Sequence, residues 1–138
     1  MTWVLDASAA LAWAFERSAA TEAGRAIAHL DRLAAEEALV PELWHLEVTN
    51  ALVVAQRRDV ISTARAHDFL SRLGALPIRT HAATFADRRE RLFDLGREHG
   101  LSAYDAAYLD LALQTGAALA TFDRRLADAA KRAGVALA

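Results

Sequence analysis

Short apolar runs alternate with longer amphipathic segments along nearly the whole chain, and this alternation limits the folds open to it. The runs that predict strands are 2–6, 38–41, 76–80, 117–121 and 135–138. The segments with helical spacing of apolar residues are 8–16, 19–37, 42–59, 62–74, 82–100, 101–116 and 123–134. Strands that alternate with helices form βα units and a mostly parallel sheet covered on both faces. We therefore predict an α/β protein, with residues 1–138 as a single domain because no linker or repeat divides them.

The composition excludes several kinds of site and partner. The chain has 138 residues and no cysteine, which rules out disulfides, zinc–thiolate centres and thiol catalysis. Its net charge of -2 argues against a generally basic nucleic-acid-binding protein. No apolar run reaches the roughly 20 residues that span a bilayer, and the opening MTWVLDASAA lacks the basic region of a signal peptide. We therefore expect a soluble, cytoplasmic protein with no membrane partner.

Four carboxylates stand where such a fold gathers functional groups. Open α/β sheets bind ligands in the crevice beyond the carboxyl ends of their strands. Asp6 ends the first predicted strand, and Asp123 follows the fourth. Glu47 and Asp105 lie on apolar stripes of predicted helices, where an ionised group needs a partner. The pattern predicts that these side chains meet in one crevice.

Each acid also has a purely structural interpretation. Asp6 and Asp123 precede predicted helices and suit the N-cap position. Asp105 follows Ser102 by three residues, which is the spacing of a capping box. Glu47 could lie at the edge of the core and reach solvent or an arginine. For each acid taken alone, both interpretations stay open.

Convergence of the four acids would favour a metal site. Carboxylates that meet in one crevice repel each other and stay ionised only beside cations. Hard divalent ions such as Mg²⁺ or Mn²⁺ choose oxygen ligands. A carboxylate cluster with few basic side chains forms a metal site more readily than an acid–base pair, so we predict a metal site.

Four segments, in order, resemble the motifs of the PIN-domain ribonucleases, and among them the VapC-type toxins of bacterial toxin–antitoxin pairs. The segments are VLDAS around Asp6, PELWHLEVTNAL around Glu47, LSAYDAAYLDLA around Asp105 and LATFDRRL around Asp123. The resemblance implies a three-layer α/β/α sandwich with a mostly parallel central sheet, and Mg²⁺- or Mn²⁺-dependent endonuclease activity on RNA. It also implies a homodimer and a small antitoxin protein that blocks the active site.

The resemblance assigns roles to groups in and around the motifs. We expect hydrolysis of RNA phosphodiester bonds by metal-activated water. The catalytic metal ligands would be Asp6, Glu47, Asp105 and Asp123. Residues that orient carboxylates or water would be Ser8, Asn50 and Thr121, and contacts to RNA phosphates would come from Arg124 and Arg125. For Ser8 and Thr121 the alternative is a bond to nearby backbone groups.

Several other side chains keep two interpretations. Those expected in the core, with an interface or base stacking as the alternative, are Trp13, Phe15, Trp44, Tyr104 and Tyr108. Asp110 points about 140° away from Asp105 on the predicted helix, so we expect it to face solvent or an arginine.

Two other functions fit parts of the pattern. One is a catalytically inactive PIN-like module that binds RNA or protein. The other is a phosphotransfer domain with Asp6 as the phosphate acceptor. Such domains usually need a lysine near the phosphate, and the only lysine is Lys131 in the last predicted helix. We therefore favour the nuclease.

Overall fold

A computed structural model describes residues 2–15, 20–82 and 84–138. The strands in this part of the chain are β1 (Thr2–Leu5), β2 (Glu37–Val40), β3 (Ile78–Thr80) and β4 (Ala118–Ala120). The helices are α1 (Ala7–Leu11), α2 (Ala20–Arg32), α3 (Leu43–Arg57), α4 (Thr63–Gly74), α5 (Arg89–His99), α6 (Ala103–Thr115) and α7 (Arg124–Arg132). A 3-10 turn, Phe85–Asp87, precedes α5.

The four strands form one parallel sheet in the order β3-β2-β1-β4. Val4 in β1 lies opposite Leu39 in β2 and Leu119 in β4. Trp3, Val4 and Leu5 are fully buried. An interior strand with both faces covered reads as a continuous apolar run, which explains why β1 shows no alternation.

The helices pack in two groups. Helix α6 packs on β1 and β4, and α5 and α7 pack on α6. Helix α1 packs on α2 and α3, and α3 packs on α4. The chain advances from β1 to β2 to β3 in one direction, whereas β4 lies on the other side of β1. Right-handed crossovers then place the two groups on opposite faces. The predicted α/β/α sandwich with a parallel central sheet is confirmed.

Several helices begin or end at residues that suit a cap position. Ser62 and Ser102 cap α4 and α6, each accepting the backbone N–H of the residue three positions later at 3.1 Å. Gly100 and Gly116 end α5 and α6 with φ of 65° and 66°, in the left-handed region that glycine adopts at low cost. Helix α4 continues through Gly74, the last residue of the predicted segment 62–74, and Ala75 is its C-cap.

Three predicted helices are shorter or divided in the structure. Helix α1 ends at Leu11, well before the predicted end at 16. Helix α2 ends at Arg32 because Glu37, inside the predicted helix, pairs with Thr2 in the sheet. The predicted helix 82–100 divides into the 3-10 turn and α5. Residues 16, 19 and 83, which these predictions include, lie outside the described residues.

The predicted last strand, 135–138, is reduced to a single bridge. Leu137 pairs with Leu119 in parallel orientation. Leu119 donates its N–H to the Ala136 carbonyl at 2.9 Å, and Ala138 donates to the Leu119 carbonyl at 2.8 Å. These bonds cover the outer edge of β4, although the segment is too short to form a regular strand.

The large aromatic side chains divide between core and surface. Trp44 and Tyr108 are buried, as expected. Trp13 and Phe15 are partly buried against the core. Tyr104 is 65% exposed, so the expectation of core packing was wrong for this residue. In the described part of the chain, no helix is long and apolar enough to cross a membrane.

Candidate active site

The predicted acids lie around the point where the strand order of the sheet reverses. Strands β1 and β4 are neighbours in space, but the chain leaves them in opposite directions across the sheet. Asp6 directly follows β1, and Thr121 directly follows β4. The Asp6 N–H donates to the Ala120 carbonyl at 3.0 Å, which holds the two strand ends together. Ligands of open α/β sheets bind in this crevice.

Asp6 is held by two hydroxyl groups. The Ser8 hydroxyl donates to Asp6 Oδ2 at 2.6 Å, and the Thr121 hydroxyl donates to the same oxygen at 2.6 Å. Asp6 is 5% exposed and makes no side-chain cap bond to α1. Asp6 therefore occupies the N-cap position of α1, as predicted, but its carboxylate does not cap the helix, and neither hydroxyl contacts its second oxygen, Oδ1.

The same hydroxyls connect Asp6 to the segment that carries Asp123. Ser8 Oγ accepts the Phe122 N–H at 2.9 Å, and Thr121 Oγ1 accepts the Asp123 N–H at 3.0 Å. Asp123 in turn accepts the Leu126 N–H at 2.9 Å through Oδ1 and caps α7. The structure thus confirms the cap interpretation for Asp123 while placing this acid beside Asp6.

Glu47 meets a tyrosine from another helix. It lies half-buried in α3, and the hydroxyl of Tyr108 in α6 donates to Glu47 Oε1. Tyr108 is fully buried. Burial and the hydrogen bond to Glu47 raise the pKa of Tyr108, so the phenol stays protonated. Glu47 therefore lies at the edge of the core, partly open to solvent, and its hydrogen-bond partner is a tyrosine rather than the arginine that was the alternative.

Asp105 lies half-buried in the first turn of α6, one turn before Tyr108. Its N–H donates to the capping residue Ser102, as the capping-box interpretation predicted. Burial raises the pKa of Asp105 to about 6, with further contributions from the charges of Asp123 and Asp6. At this position the side chain can both belong to the cap and face the other acids.

The four acids share one electrostatic neighbourhood. Burial, and then the charge of Asp123, raise the pKa of Asp6 against the opposing effect of its hydroxyl partners. Burial also raises the pKa of Glu47, with smaller contributions from Asp6 and Asp105. Among the ion pairs of the described residues, none involves these four acids. The site therefore carries a negative potential that no described basic side chain neutralises by direct pairing.

The acids do not form a preassembled cage in their present positions. Within residues 2–15, 20–82 and 84–138, no three Asp, Glu or His side chains are close enough together to hold one ion. The Tyr108, Ser8 and Thr121 hydroxyls bond directly to Glu47 and Asp6. Metal ligation by the four acids remains a prediction.

The remaining predicted site residues are exposed. Asn50 lies one turn after Glu47 on α3, and Arg124 and Arg125 begin α7 directly after Asp123. All three side chains are exposed to solvent, and all three lie close in sequence to one of the four acids. Their contacts to water or RNA remain predictions.

Asp110 has a structural partner. It is 3% exposed and accepts two bonds from Arg88, at 2.9 and 2.5 Å, and one from Gln114 at 2.9 Å. The expectation that Asp110 faces an arginine is confirmed. Arg88 therefore ties the start of α5 to α6 through the Asp110 carboxylate.

Two contacts near the site, the bond of Tyr108 to Glu47 and the contacts of Arg25, were not predicted from the sequence. Tyr108 had a usable signal, because it follows Asp105 by one helical turn and so shares its face. Arg25 had none: its guanidinium lies 4.8 Å from the Phe122 ring centre and its Nη2 is 3.4 Å from the Thr121 carbonyl, 96 residues away. Such long-range contacts leave no trace in local spacing.

The fold and the site together define an α/β protein with an acidic site, which lies beyond the carboxyl ends of β1 and β4, where the strand order of the sheet reverses. The sequence matches the PIN domain over residues 3–132, and the chain belongs to the PIN-domain family. It is 33% identical over 132 residues to Ribonuclease VapC3 from Pyrobaculum aerophilum, covering 93% of this chain and 94% of that protein.

Solved structures share the fold. The structure of VapBC2 from Rickettsia felis, bound to a DNA fragment from their promoter, matches with a TM-score of 0.68 and 15% identity. It covers 100% of this chain and 98% of that one. The structure of FitAcB from Neisseria gonorrhoeae matches with a TM-score of 0.64 and 18% identity, covering 99% of this chain and 96% of that one.

Proposed function

We propose that this protein, as a single domain over residues 1–138, is a divalent-metal-dependent endoribonuclease and the toxin of a toxin–antitoxin pair. The observation that carries the proposal is the setting of Asp6. It sits at the switch point of the sheet, is held by Ser8 and Thr121, and feels the charge of Asp123. The similarity to Ribonuclease VapC3 supports RNA as the substrate.

The donor set fits a hard divalent ion. The acidic positions offer carboxylate oxygens, which Mg²⁺ and Mn²⁺ prefer. The residues that would hold the ion are Asp6, Glu47, Asp105 and Asp123. Because no three of these carboxylates converge as they stand, binding would require side-chain rotation or water as additional ligands. Such an ion would supply activation of water and stabilisation of charge on the phosphate.

The protein's own groups would orient this chemistry. Ser8 and Thr121 fix one oxygen of Asp6 and so determine how its carboxylate is presented. Asn50, exposed next to Glu47, would hydrogen-bond a water or the substrate. Arg124 and Arg125 would contact RNA phosphates and offset repulsion between the RNA and the acids. Salt limits the range of electrostatic attraction to roughly 10 Å. A local pair of arginines can therefore attract RNA phosphates even though the chain as a whole has a net charge of -2.

The direct test is cleavage of RNA by the wild type and by Asp6→Asn. In Mn²⁺ we expect wild-type cleavage and a loss of about 100-fold or more in the variant, because a metal ligand and its charge are removed. Asp128→Asn, an exposed change on α7, serves as the matched control and should cleave normally. Equal cleavage by wild type and Asp6→Asn would refute the assignment.

A second candidate is a PIN-like module that binds RNA or protein without cleaving it. The absence of three converging acids among the described residues favours this alternative. It predicts that RNA is retained in a mobility-shift assay but stays intact in Mn²⁺. Cleavage that depends on Asp6 excludes it.

The proposed partners are RNA, a small antitoxin protein and a second copy of this chain, all in the cytoplasm. The fold is shared with the VapBC2 and FitAcB structures. Light scattering of the purified protein should give twice the mass of the 15.0 kDa chain.

Co-expression with the product of a short neighbouring reading frame should yield a stable complex whose nuclease activity is inhibited. A monomer, or a neighbour that neither binds nor inhibits, would contradict these assignments.

A further inference from the structure

The Tyr108 hydroxyl is a polar group deep in an otherwise apolar part of α6. Its neighbours Ala107 and Leu109 are buried with it, and Tyr108 itself is 0% exposed. A buried phenol usually finds a hydrogen-bond partner. Here the partner is Glu47, 61 residues earlier in the chain and on a different helix. The bond therefore joins two of the proposed acidic elements.

Tyr108 also lies close to the other acids. It follows Asp105 by one turn, so α6 presents both side chains toward the same region. Helix α6 packs on β1 and β4, the strands that lead into Asp6 and Asp123. The Ala7 backbone, directly after Asp6, lowers the pKa of Tyr108, and the charge of Asp6 raises it. The phenol of α6 therefore bonds α3 through Glu47 and lies near the β1–α1 junction.

We propose that Tyr108 is a positioning residue that orients the Glu47 carboxylate for binding a divalent ion; this rests on the proposed function. A glutamate side chain has several rotatable bonds, and ordering it costs conformational entropy. A donor fixed in the core, bonded to Oε1, removes much of that freedom before the ion arrives. Oε1 is then engaged, and Oε2 is the oxygen that the Tyr108 bond leaves for the ion.

The alternative is a purely structural phenol whose only role is packing. The two roles require different parts of the side chain. A packing role needs only the aromatic ring, whereas a positioning role needs the hydroxyl oxygen. Tyr108→Phe separates them because it removes the hydroxyl and preserves the ring.

The first measurement is Mn²⁺ binding to the full protein by calorimetry, without RNA. We expect Tyr108→Phe to weaken the affinity by about 10-fold or more, as loss of a group that orients a metal ligand typically does. Tyr104→Phe removes a hydroxyl from the exposed tyrosine of the same helix and should bind Mn²⁺ like the wild type. A cooperative melting transition in each variant would show that the ring change left the fold intact.

A double-mutant cycle with Glu47→Gln provides the second measurement. If Tyr108 acts through Glu47, Tyr108→Phe should have little further effect on Mn²⁺ affinity once the carboxylate is gone. This comparison stays informative even where Tyr108→Phe lowers stability, because the same packing change separates the wild type from Tyr108→Phe and Glu47→Gln from the double variant.

The outcomes separate this inference from the function on which it rests. A wild type that binds no Mn²⁺ and cleaves no RNA overturns the nuclease and the inference together. A wild type that binds Mn²⁺, with Tyr108→Phe equal to it, overturns the positioning role alone. Additive effects of Tyr108→Phe and Glu47→Gln also overturn it.

Discussion

Asp105 illustrates how one side chain serves both a helix and a site. Its backbone N–H is capped by Ser102, while its carboxylate is half-buried and feels the charges of Asp6 and Asp123. Burial and these charges raise its pKa to about 6. The folded protein therefore holds a proton at Asp105 over a range of pH in which the unfolded chain has lost it.

The raised pKa predicts a pH-dependent stability without metal. The stabilising effect of the Asp105 proton is fully present below the ordinary aspartate pKa of 3.8 and is lost as pH rises through the folded-state pKa of about 6. We expect Asp105→Asn to gain stability over the wild type across this window. The gain should reach about 1 kcal/mol near neutral pH, after allowance for the solvent around this half-buried group.

Urea unfolding in EDTA at several pH values measures this difference. Asp128→Asn is the control, because Asp128 is an exposed residue of α7 and should leave the pH profile unchanged. Parallel profiles for the wild type and Asp105→Asn would show that Asp105 does not titrate as inferred.

Among the secondary-structure elements, α5 and α6 are joined by a tight connection. Gly100 ends α5 in the left-handed region, and Leu101 donates its N–H to the Gly96 carbonyl at 2.9 Å. A Cβ at Gly96 would lie 2.9 Å from the Leu101 carbonyl oxygen. Arg88, at the start of α5, also bonds Asp110 in the second half of α6. Helix α6 is therefore joined to α5 at its start and again through Asp110.

Gly96→Ala should destabilise the protein, by roughly 1–3 kcal/mol, because a backbone carbonyl has to move to admit the methyl group. Gly24→Ala is the matched change in α2, where a Cβ meets nothing within 4 Å. The free energy of unfolding of that variant should rise by up to about 1 kcal/mol, because alanine has a better helix propensity than glycine. Thermal or urea unfolding of both variants checks the pair, and a destabilised Gly24→Ala beside a neutral Gly96→Ala would contradict the packing described here.

At the scale of the whole molecule, the sheet brings distant acids together at a cost. Three of the four carboxylates have raised pKa values, chiefly because of burial. Buried carboxylates that lie near one another are less stable when all are ionised, and a bound cation would stabilise their charges. Binding of a divalent ion should therefore stabilise the folded state.

We expect Mn²⁺ to raise the melting temperature of the wild type in a concentration-dependent way. Mass action predicts a gain of about 2.7 kcal/mol when the free ion exceeds its Kd by about 100-fold. The gain should shrink at acidic pH, because protons compete for the carboxylates. Calorimetry or dye-based melting measures it, with Asp6→Asn as the comparison. A shift of equal size in Asp6→Asn would place the ion elsewhere.

Much of the architecture was predictable from local pattern. Apolar runs and helical spacing predicted β1 to β4, and Ser102 and Asp123 marked helix starts that the structure contains. Helix ends were less predictable. Glu37 looks helical by itself, but pairing with Thr2 places it in β2. The last segment has strand composition, yet only Leu137 forms a bridge. Both outcomes depend on partners that are remote in sequence.

The sequence by itself determined the α/β class, the order of its elements and the positions of four acids, because spacing and capping act between near neighbours along the chain. Only the tertiary structure decided that Tyr108 bonds Glu47, that Thr121 and Ser8 share one oxygen of Asp6, and that Arg88 engages Asp110. Apart from Ser8 and Asp6, these partners lie 22 to 115 residues apart. Contacts of this range exist only after the sheet has formed, since its strand order determines which loops and helices meet.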